Sequence, residues 1–311
     1  MRGWFAGLDV ACYLMRVPSS DAPRPVPRRL RKRVAEGLAL SLAAVDECWG
    51  ADRLRVITHE GDEPRRLSLE ALIFEEDQVF LDGVAVGPAV ALTHALLNKP
   101  KFVTSTANDP RGKSDLSPYL RAMPPGCFAV GRLDRETTGL LLFTNDGDLA
   151  TAVLRPDHST TKTYWLWIDE PIADDDARLT QLKDGIIHNG QLLAAKSASI
   201  RARSEYATEL ELTLTQGKKR QIRHMCRELD LHLVHLHRFR IGPISDAGLA
   251  LGAWRLLEPS EVESLWEAAG GRSAHRQRKV GALIGHAAEA RELGTPLARL
   301  ERWLEQELTT R

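Results

Sequence analysis

The sequence has few cysteines and no long apolar run. Its four cysteines, Cys12, Cys48, Cys127 and Cys226, lie far apart, and no two of them form a Cys-x-x-Cys pair. This spacing argues against a zinc ribbon or a disulfide framework and fits a reducing compartment. No apolar stretch reaches the roughly 20 residues that a membrane helix needs. We therefore expect a cytoplasmic protein.

The first residues also lack the pattern of a secretory signal peptide. Asp9 interrupts their apolar stretch and Arg16 ends it early. Residues 18–27, PSSDAPRPVP, are rich in proline and predict a linker, because proline disfavours both helix and central strand. We expect residues 1–27 to form an N-terminal extension and linker.

The chain has no net charge, since Lys plus Arg number 42 and Asp plus Glu also number 42. This balance excludes a protein that is basic throughout, although nucleic-acid binding needs only one basic face. The hydrophobic fraction of 43% and the charged fraction of 27% are those of an ordinary globular protein. A length of 311 residues allows either one large domain or two.

Periodic patterns predict the main elements. The segment RRLRKRVAEGLALSLAAVDECWG has helical spacing, and SLEALIFEEDQVFLDGVAV begins like a helix and then becomes a hairpin around Asp82-Gly83. Strands are predicted in HALLNKPKFVTST, TKTYWLWIDEPI and LHLVHLHRFRIGPI, and an antiparallel pair in ASIRARS and TELELTLT. ADDDARLTQLKDG and residues 218–229 have helical spacing, as does the tail after Trp266.

One stretch, GRLDRETTGLLLFTNDG at residues 131–147, places Asp134 between cations and in front of an apolar run. A single carboxylate can serve as nucleophile, as general base or as half of an ion pair. Taken alone, these residues fit an aspartate that caps a turn. Further along, Asp146 and Asp148 could hold magnesium in a nuclease or phosphotransferase, or could simply belong to a turn.

The same stretch resembles the signature of the RsuA family of ribosomal RNA pseudouridine synthases, and further motifs follow in the family's order. The order and spacing agree from about His94 to Pro259. The resembling segments are Gly131–Asp134, Thr138–Leu141, Thr144–Gly147, Asn98–Pro100, Lys162–Tyr164, Gly217–Met225 and Leu236–Gly242.

This resemblance implies an α+β pseudouridine synthase fold with a mixed, mostly antiparallel central sheet, flanking helices and an RNA-binding cleft. It implies a small, divergent RNA-binding-like domain over 28–90, a catalytic domain over 91–266 and a helical C-terminal extension over 267–311. The implied reaction isomerises a uridine of ribosomal RNA without cofactor or metal. The implied partner is ribosomal RNA or a ribosomal subunit precursor, no membrane is involved, and a monomer is the default expectation.

The resemblance also assigns roles. Asp134 is the expected nucleophile, Arg223 its ion-pair partner, and Tyr164 the aromatic residue that stacks on the uracil. Leu236 is the expected apolar wall, and Arg132 is expected to fill the space that the flipped base leaves. Further residues expected to bind the RNA are Lys99, Lys218, Lys219, Arg220, Gln221, Arg227 and Arg238.

Parts of the chain depart from the family pattern. An insertion containing RLRVITHEGDEPRR divides the small domain, whose second half is acidic at residues 75–77. The tail beyond about residue 268 resembles nothing in the family. One alternative function is an RNA-binding ribosome-assembly factor whose catalysis is lost or secondary. A zinc site at His232, His235 and His237 is a further alternative, although these residues lack the helical spacing or cysteine partners of such sites.

Overall fold

The computed structural model describes residues 26–38, 40, 42–58, 63–87, 91–107, 109, 111–155, 160–290 and 297–309. Nearly all of the expected N-terminal extension, residues 1–25, lies outside the described residues. The helices are α1 (Leu30–Leu38), α2 (Leu42–Gly50), α3 (Ser117–Ala122), α4 (Gly147–Leu154), α5 (Ala177–Asp184), α6 (Gln221–Glu228), α7 (Pro259–Ala268), α8 (Arg272–Ala290) and α9 (Leu297–Thr309). The strands are β1 (Arg28–Arg29), β2 (Leu54–Ile57), β3 (Leu72–Ile73), β4 (Gln78–Leu81), β5 (Val84–Ala85), β6 (His94–Lys99), β7 (Phe128–Val130), β8 (Thr138–Thr144), β9 (Lys162–Ile168), β10 (Ile186–His188), β11 (Gln191–Leu193), β12 (Ser197–Arg203), β13 (Thr208–Leu214), β14 (Leu233–Ile241), β15 (Ile244–Ser245) and β16 (Trp254–Leu256).

A nine-stranded sheet forms the centre of the fold. Its strand order is β12-β13-β9-β14-β8-β6-β16, with β15 beside β14 and β7 beside β8. Strands β14 and β8 run parallel, and the other neighbours in this sheet pair antiparallel. The predicted mixed, mostly antiparallel sheet is confirmed.

Strand β8 is buried on both faces, which explains its unbroken apolar sequence. Leu140 and Leu142 pack in a cluster with α4 and α7, whereas Leu141 and Phe143 pack on the other face, in the cluster that contains Leu116. The loop that precedes this strand carries Asp134. The site loop is therefore attached to one of the most deeply buried strands of the sheet.

Several predicted elements are confirmed. Asp176 caps α5 by accepting a hydrogen bond from the backbone N–H of Arg178, and Gly185 ends the helix with a φ of 104°. Asp82 and Gly83, with φ angles of 52° and 77°, turn β4 back along β5, as an Asp-Gly hairpin requires. Strands β12 and β13 form the predicted antiparallel pair.

The helix-like start predicted for SLEALIFEED is wrong. The chain turns at residues 69–70 and forms β3, which pairs with β1. Successive side chains from Ala71 to Phe74 are buried, which suits a strand covered on both sides. Ala71 and Ile73 face the core around α1 and α2, whereas Leu72 and Phe74 face α8 and α9.

The C-terminal helices thus pack against the N-terminal part of the chain. Val280 and Leu283 of α8 and Trp303 of α9 join Leu72 and Phe74 in one buried cluster. Arg299 adds an ion pair to the buried Asp77, at 2.7 Å between Nη1 and Oδ1. None of the helices in the described ranges combines the length and apolar character needed to cross a membrane.

Candidate active site

Asp134 lies on the loop between β7 and β8, and neighbouring backbone fixes that loop. The carbonyl oxygen of Leu133 accepts a hydrogen bond from the Ser105 hydroxyl at 2.7 Å. The N–H of Leu133 donates to the hydroxyl oxygen of Ser105 at 3.1 Å. The N–H of Phe102 donates to the carbonyl oxygen of Arg135 at 2.6 Å, and the N–H of Thr137 donates to that of Asp134 at 3.0 Å. The Asp134 backbone is therefore held, while 29% of its side chain stays exposed.

Gly139 allows the Asp134 loop to approach β14. Its φ is 106°, and a Cβ atom at this position would lie 2.3 Å from the carbonyl oxygen of Arg238. Any other residue would push the two strands apart. Because β8 and β14 pair here in parallel, with Gly139 opposite Arg238, the side chains of Leu236 and Arg238 lie beside the loop.

Two arginines of the basic segment before and within α6 face the Asp134 carboxylate. Arg223 Nε lies 3.4 Å from Asp134 Oδ2, and Arg220 Nη1 lies 3.8 Å from the same oxygen. Arg223 also donates to the Thr137 hydroxyl at 3.3 Å and lies 3.9 Å from Glu136. Opposite charges at these distances attract, so the arginines orient the carboxylate and compensate its charge.

The helix that supplies Arg223 is shorter than the predicted 218–229. It runs from Gln221 to Glu228, because Arg220 has a φ of 53° and cannot continue a right-handed helix. The left-handed turn at Arg220 points its guanidinium at the site from just before the helix. The buried stripe of α6 includes Ile222, Met225 and Cys226, and the residues opposite it are polar.

The contact between Arg223 and Asp134 is an ion pair rather than a hydrogen bond. Arg223 Nε is buried and has no hydrogen-bond partner within the described residues, although Asp134 Oδ2 is its near neighbour. The carboxylate therefore keeps free lone pairs. Such loose geometry is common in a site that tightens only when substrate is bound.

A cavity of about 180 Å³ opens in front of the carboxylate. At roughly 30 Å³ per water molecule it could hold about six waters, which is room for one small ring. We call it the Asp134 cavity. Its wall includes Arg132, Asp134, Tyr164, Arg223, Leu236 and Arg238.

The expected base-binding side chains converge on this cavity. Tyr164 and Leu236 are buried, and the Tyr164 hydroxyl makes no hydrogen bond to the described part of the chain. Arg238 donates from Nε to the carbonyl oxygen of Leu140 at 2.7 Å, while its buried Nη2 has no hydrogen-bond partner among the described residues. An aromatic ring, an apolar wall and an unused donor are suited to a planar polar ring.

Lys99 is fully buried, whereas the sequence analysis predicts that it binds the RNA. The side chain has no exposed surface, and its ammonium group donates to the carbonyl oxygens of Pro100 (2.9 Å) and Val103 (3.0 Å). Burial and the nearby Arg238 lower the pKa of Lys99 to about 8, against the opposing effect of Asp134. An ammonium group so enclosed cannot contact an RNA phosphate, and it instead holds the turn after β6.

Gln221 also differs from its expected role. Its side-chain amide donates to the carbonyl oxygen of Ala194 at 3.1 Å, and its oxygen accepts from the N–H of Lys218 at 3.2 Å. The side chain is buried and borders the Asp134 cavity, but both ends of its amide are bound to backbone. Gln221 therefore organises the segment that carries Arg220 and Arg223.

Lys162 is a wall residue that sequence reasoning missed. It lies at the start of β9 and borders the Asp134 cavity, where its Nζ donates to the carbonyl oxygen of Val153 at 3.3 Å. Burial and the neighbouring Arg238 lower its pKa to about 8. Its motif, Lys162-Thr163-Tyr164, directed attention to Tyr164, and only the shared cavity reveals the lysine.

The remaining basic candidates are distributed over the rim. Arg132 is exposed and makes no hydrogen bond or ion pair with the described residues. Lys218 borders the cavity, but its ammonium group donates to the carbonyl oxygen of Leu192 at 2.9 Å. Lys219 and Arg227 are exposed and lie outside the cavity wall.

The groups considered for metal binding have other partners. Asp146 caps α4 by accepting from the N–H groups of residues 148 and 149. His235 and His237 both contact the Thr138 hydroxyl, whereas His232 faces Asp169 at 3.4 Å. Within the described ranges, no three His, Cys, Asp or Glu side chains are grouped as metal ligands would be.

Comparison with known proteins gives a consistent result. The family model of RNA pseudouridylate synthases matches residues 93–228. Ribosomal small subunit pseudouridine synthase A of Escherichia coli K12 is 32% identical over 239 residues, which cover 76% of this chain and 99% of the relative. The dual-specificity RNA pseudouridine synthase RluF of Salmonella typhi is 30% identical, with 70% of this chain and 73% of the relative covered.

A solved structure agrees with these sequence matches. A crystal structure of a pseudouridylate synthase aligns with a TM-score of 0.52 at 25% sequence identity, covering 76% of this chain and 99% of that one. Fold and similarity together define the class: the chain is an RNA pseudouridine synthase, and therefore an isomerase. Within that class it belongs to the RsuA family.

Proposed function

We propose that this enzyme converts a specific uridine of ribosomal RNA to pseudouridine, with Asp134 as its nucleophile. The observation that carries the proposal is the state of the Asp134 carboxylate. It is fixed through its backbone, faced by Arg223 and Arg220, and open to a cavity of the size of one small ring. The name of the Escherichia coli relative, a ribosomal small subunit pseudouridine synthase, supports the choice of RNA.

The reaction needs a group that splits one difficult step into two. The bond from the ribose to N1 of uracil breaks, the base turns, and a bond forms from the ribose to carbon 5. Carbon 5 loses its proton and N1 gains one, so atoms balance without any redox step. A carboxylate that adds covalently to the sugar or to the base makes each half easier. We therefore propose a reaction that needs no cofactor.

The cavity wall supports a role for the other residues. Tyr164 would stack on the uracil, Leu236 would close its apolar side, and Arg238 would direct its unused Nη2 toward a carbonyl oxygen of the ring. A uridine within folded RNA cannot reach this cavity unless it is flipped out. Arg132, exposed at the rim, would occupy the vacated space.

We further propose that the enzyme acts as a monomer in the cytoplasm, on free ribosomal RNA or on a subunit precursor. Residues 28–90 would contribute RNA contacts and residues 91–266 the catalytic unit. The basic residues at the rim, among them Arg132, Lys218 and Arg220, also suit the alternative, an RNA-binding ribosome-assembly factor whose catalysis is lost or secondary. The experiment must therefore separate binding from chemistry.

The test uses ribosomal RNA from a strain that lacks the enzyme, carrying uridine tritiated at carbon 5. We expect the wild type to release tritium, also in the presence of EDTA, and Asp134→Asn to bind the RNA without releasing any. Binding by both proteins without release by either would favour the assembly factor. Release that stops with EDTA would indicate a metal-dependent reaction instead.

A further inference from the structure

A second, larger cavity adjoins the Asp134 cavity. Its volume is about 1540 Å³, and Gly131 and Arg132 line both cavities. One wall is formed by residues 28–32 of β1 and α1, the floor by residues 126–132 and the start of α4, and the other wall by α8. We call this space the basic groove.

Basic side chains outnumber acidic ones in the lining of the basic groove, although the chain as a whole has no net charge. Eight Lys or Arg side chains line it, against three Asp or Glu side chains. Four of the eight lie between residues 28 and 32, and another is Arg132. The other three, Arg272, Arg276 and Lys279, belong to α8 in the C-terminal extension.

The extension is attached so that α8 stays in this position. Asp148, in the first turn of α4, accepts hydrogen bonds from Lys32 of α1 at 2.7 Å and from Lys279 of α8 at 2.9 Å. The two walls of the groove are thus tied to one carboxylate beneath it. The apolar cluster that includes Phe74 and Trp303 packs α8 and α9 against the segment that contains β3.

We propose that α8 forms one wall of an RNA-binding groove that holds the phosphates next to the target uridine. This inference rests on the proposed function, since it assumes an RNA substrate in the Asp134 cavity. Lys and Arg side chains that neutralise phosphates release condensed counterions, so the affinity depends steeply on salt. The C-terminal extension would then be part of substrate recognition.

The test is the salt dependence of RNA affinity. Arg276→Gln removes one groove charge, and Arg276→Lys keeps it. Each lost contact to single-stranded RNA should lower the slope of log affinity against log salt by about 0.7. We expect that decrease for Arg276→Gln, a larger one for Arg272→Gln combined with Arg276→Gln, and a wild-type slope for Arg276→Lys. Arg302→Gln, exposed on α9 outside the groove, is the matched control.

Two outcomes separate this inference from the proposed function. If the wild type and Arg302→Gln release tritium but the Gln variants at 272 and 276 keep the wild-type slope, the groove proposal is wrong and the catalytic one stands. If the wild type binds RNA with the expected slopes but releases no tritium, the catalytic proposal is wrong. Melting temperatures of all variants identify any that fail to fold.

An independent observation concerns Phe102, on the loop after β6. Its φ is 70°, a left-handed conformation that disfavours a large side chain, and 51% of the residue is exposed. Because only about half of the residue is buried, burial of the ring compensates little for this backbone. Strain of this kind is concentrated at functional sites.

The surroundings of Phe102 suit a nucleobase. The Lys101 ammonium lies 5.3 Å and the Arg135 guanidinium 5.1 Å from the centre of the ring. The backbone hydrogen bond from Phe102 to Arg135 places the ring directly beside the Asp134 loop. An exposed ring flanked by cations offers a base a stacking surface and its phosphates a counter-charge.

We infer that Phe102 stacks on a base that neighbours the target uridine. Phe102→Gly tests this sharply, because glycine adopts a φ of 70° without strain. The variant should therefore melt no lower than the wild type, yet its RNA affinity should fall about tenfold, within the range for one stacked base. Phe102→Tyr should keep the affinity.

Tyr206→Gly, at an aromatic residue that is 73% exposed and distant in sequence from the site, is the control and should leave affinity unchanged. Wild-type affinity of a folded Phe102→Gly would overturn the inference. An equal loss in Tyr206→Gly would show that the effect is not specific to Phe102.

Discussion

Asp148 and Asp134, two aspartates in the same part of the chain, both face cations but differ in the hydrogen bonds that their carboxylates accept. Asp148 accepts hydrogen bonds from Lys32 at 2.7 Å and from Lys279 at 2.9 Å, and the His275 imidazole lies 3.7 Å away. Burial would raise the pKa of Asp148, but His275 and the two ammonium groups outweigh it and hold that pKa well below its usual range. This carboxylate is fully engaged.

Asp134 also faces two cations, but its carboxylate accepts no hydrogen bond from either of them. Arg223 and Arg220 stand at 3.4 and 3.8 Å, without hydrogen-bond geometry. The exposed fractions of the two aspartate side chains are close, at 29% for Asp134 and 25% for Asp148. Burial therefore does not distinguish them. The two differ in their hydrogen bonds, which fits a structural role for Asp148 and the nucleophilic role that we propose for Asp134.

The largest effect on stability is expected at Asp148. Asp148→Asn leaves two lysines without their counter-charge, and breaking such a partly buried pair should lower the free energy of unfolding by about 3 kcal/mol. Urea denaturation at pH 7 measures this loss. Asp175→Asn, an exposed aspartate before α5, is the control and should stay within about 0.5 kcal/mol of the wild type.

The sign of the pH dependence follows from the same pKa. Since folding depresses the pKa of Asp148, its contribution is complete above the unfolded value of 3.8 and is lost as the pH falls below it. The difference in the free energy of unfolding between wild type and Asp148→Asn should therefore become smaller in acid. A difference that is constant down to about pH 3 would contradict the assignment.

A smaller effect is expected when the partner of Asp134 is changed. Arg223→Lys keeps the charge but cannot contact Asp134 and the Thr137 hydroxyl together, as the guanidinium does. We expect single-turnover pseudouridine formation to slow by about 10- to 100-fold, because misplaced catalytic groups lose rates of this order. Arg227→Lys, exposed on the same helix, should change the rate little. Equal rates for both variants would show that Arg223 has no special role in the reaction.

The smallest effect is expected at Lys99. Folding lowers its pKa from 10.5 to about 8, so the unfolded chain binds more protons in this interval and stability rises with pH. The gain from this lysine should be about 1 kcal/mol between roughly pH 7.5 and 9. Lys99→Met should reduce the rise of the free energy of unfolding with pH, measured by urea denaturation in this interval. Lys183→Met, at an exposed lysine of α5, should not change that rise. An unchanged slope in Lys99→Met would mean that the ammonium is not buried.

Local pattern predicted much of the fold and several of the residues that the structure brings together at the candidate site. Alternation in β9 predicts that Tyr164 points to the opposite face of the strand from Trp165 and Trp167. In the structure, Tyr164 lies in the wall of the Asp134 cavity. The Asp82-Gly83 hairpin followed from turn chemistry alone. Asp134 stood out because a whole series of motifs surrounded it, and the structure brings those motifs to one cavity.

Features that depend on distant contacts were not predictable. A lysine is rarely fully buried, so Lys99 looked like a surface cation until its two carbonyl partners were visible. The buried run at residues 71–74 resembled the start of a helix, because the α8 and α9 helices that cover it lie far along the chain. The contact from Asp148 to α1 and α8 joins three segments that have no common pattern in sequence.

The central claim is that Asp134 acts as a nucleophile and Asp148 does not. The most direct measurement is the single-turnover rate of tritium release at saturating RNA, for wild type, Asp134→Asn and Asp134→Glu. We expect both variants to bind RNA and to lose at least about 10³-fold in rate, because a nucleophile must be both ionised and accurately placed. Release by Asp134→Asn at near the wild-type rate would contradict the account.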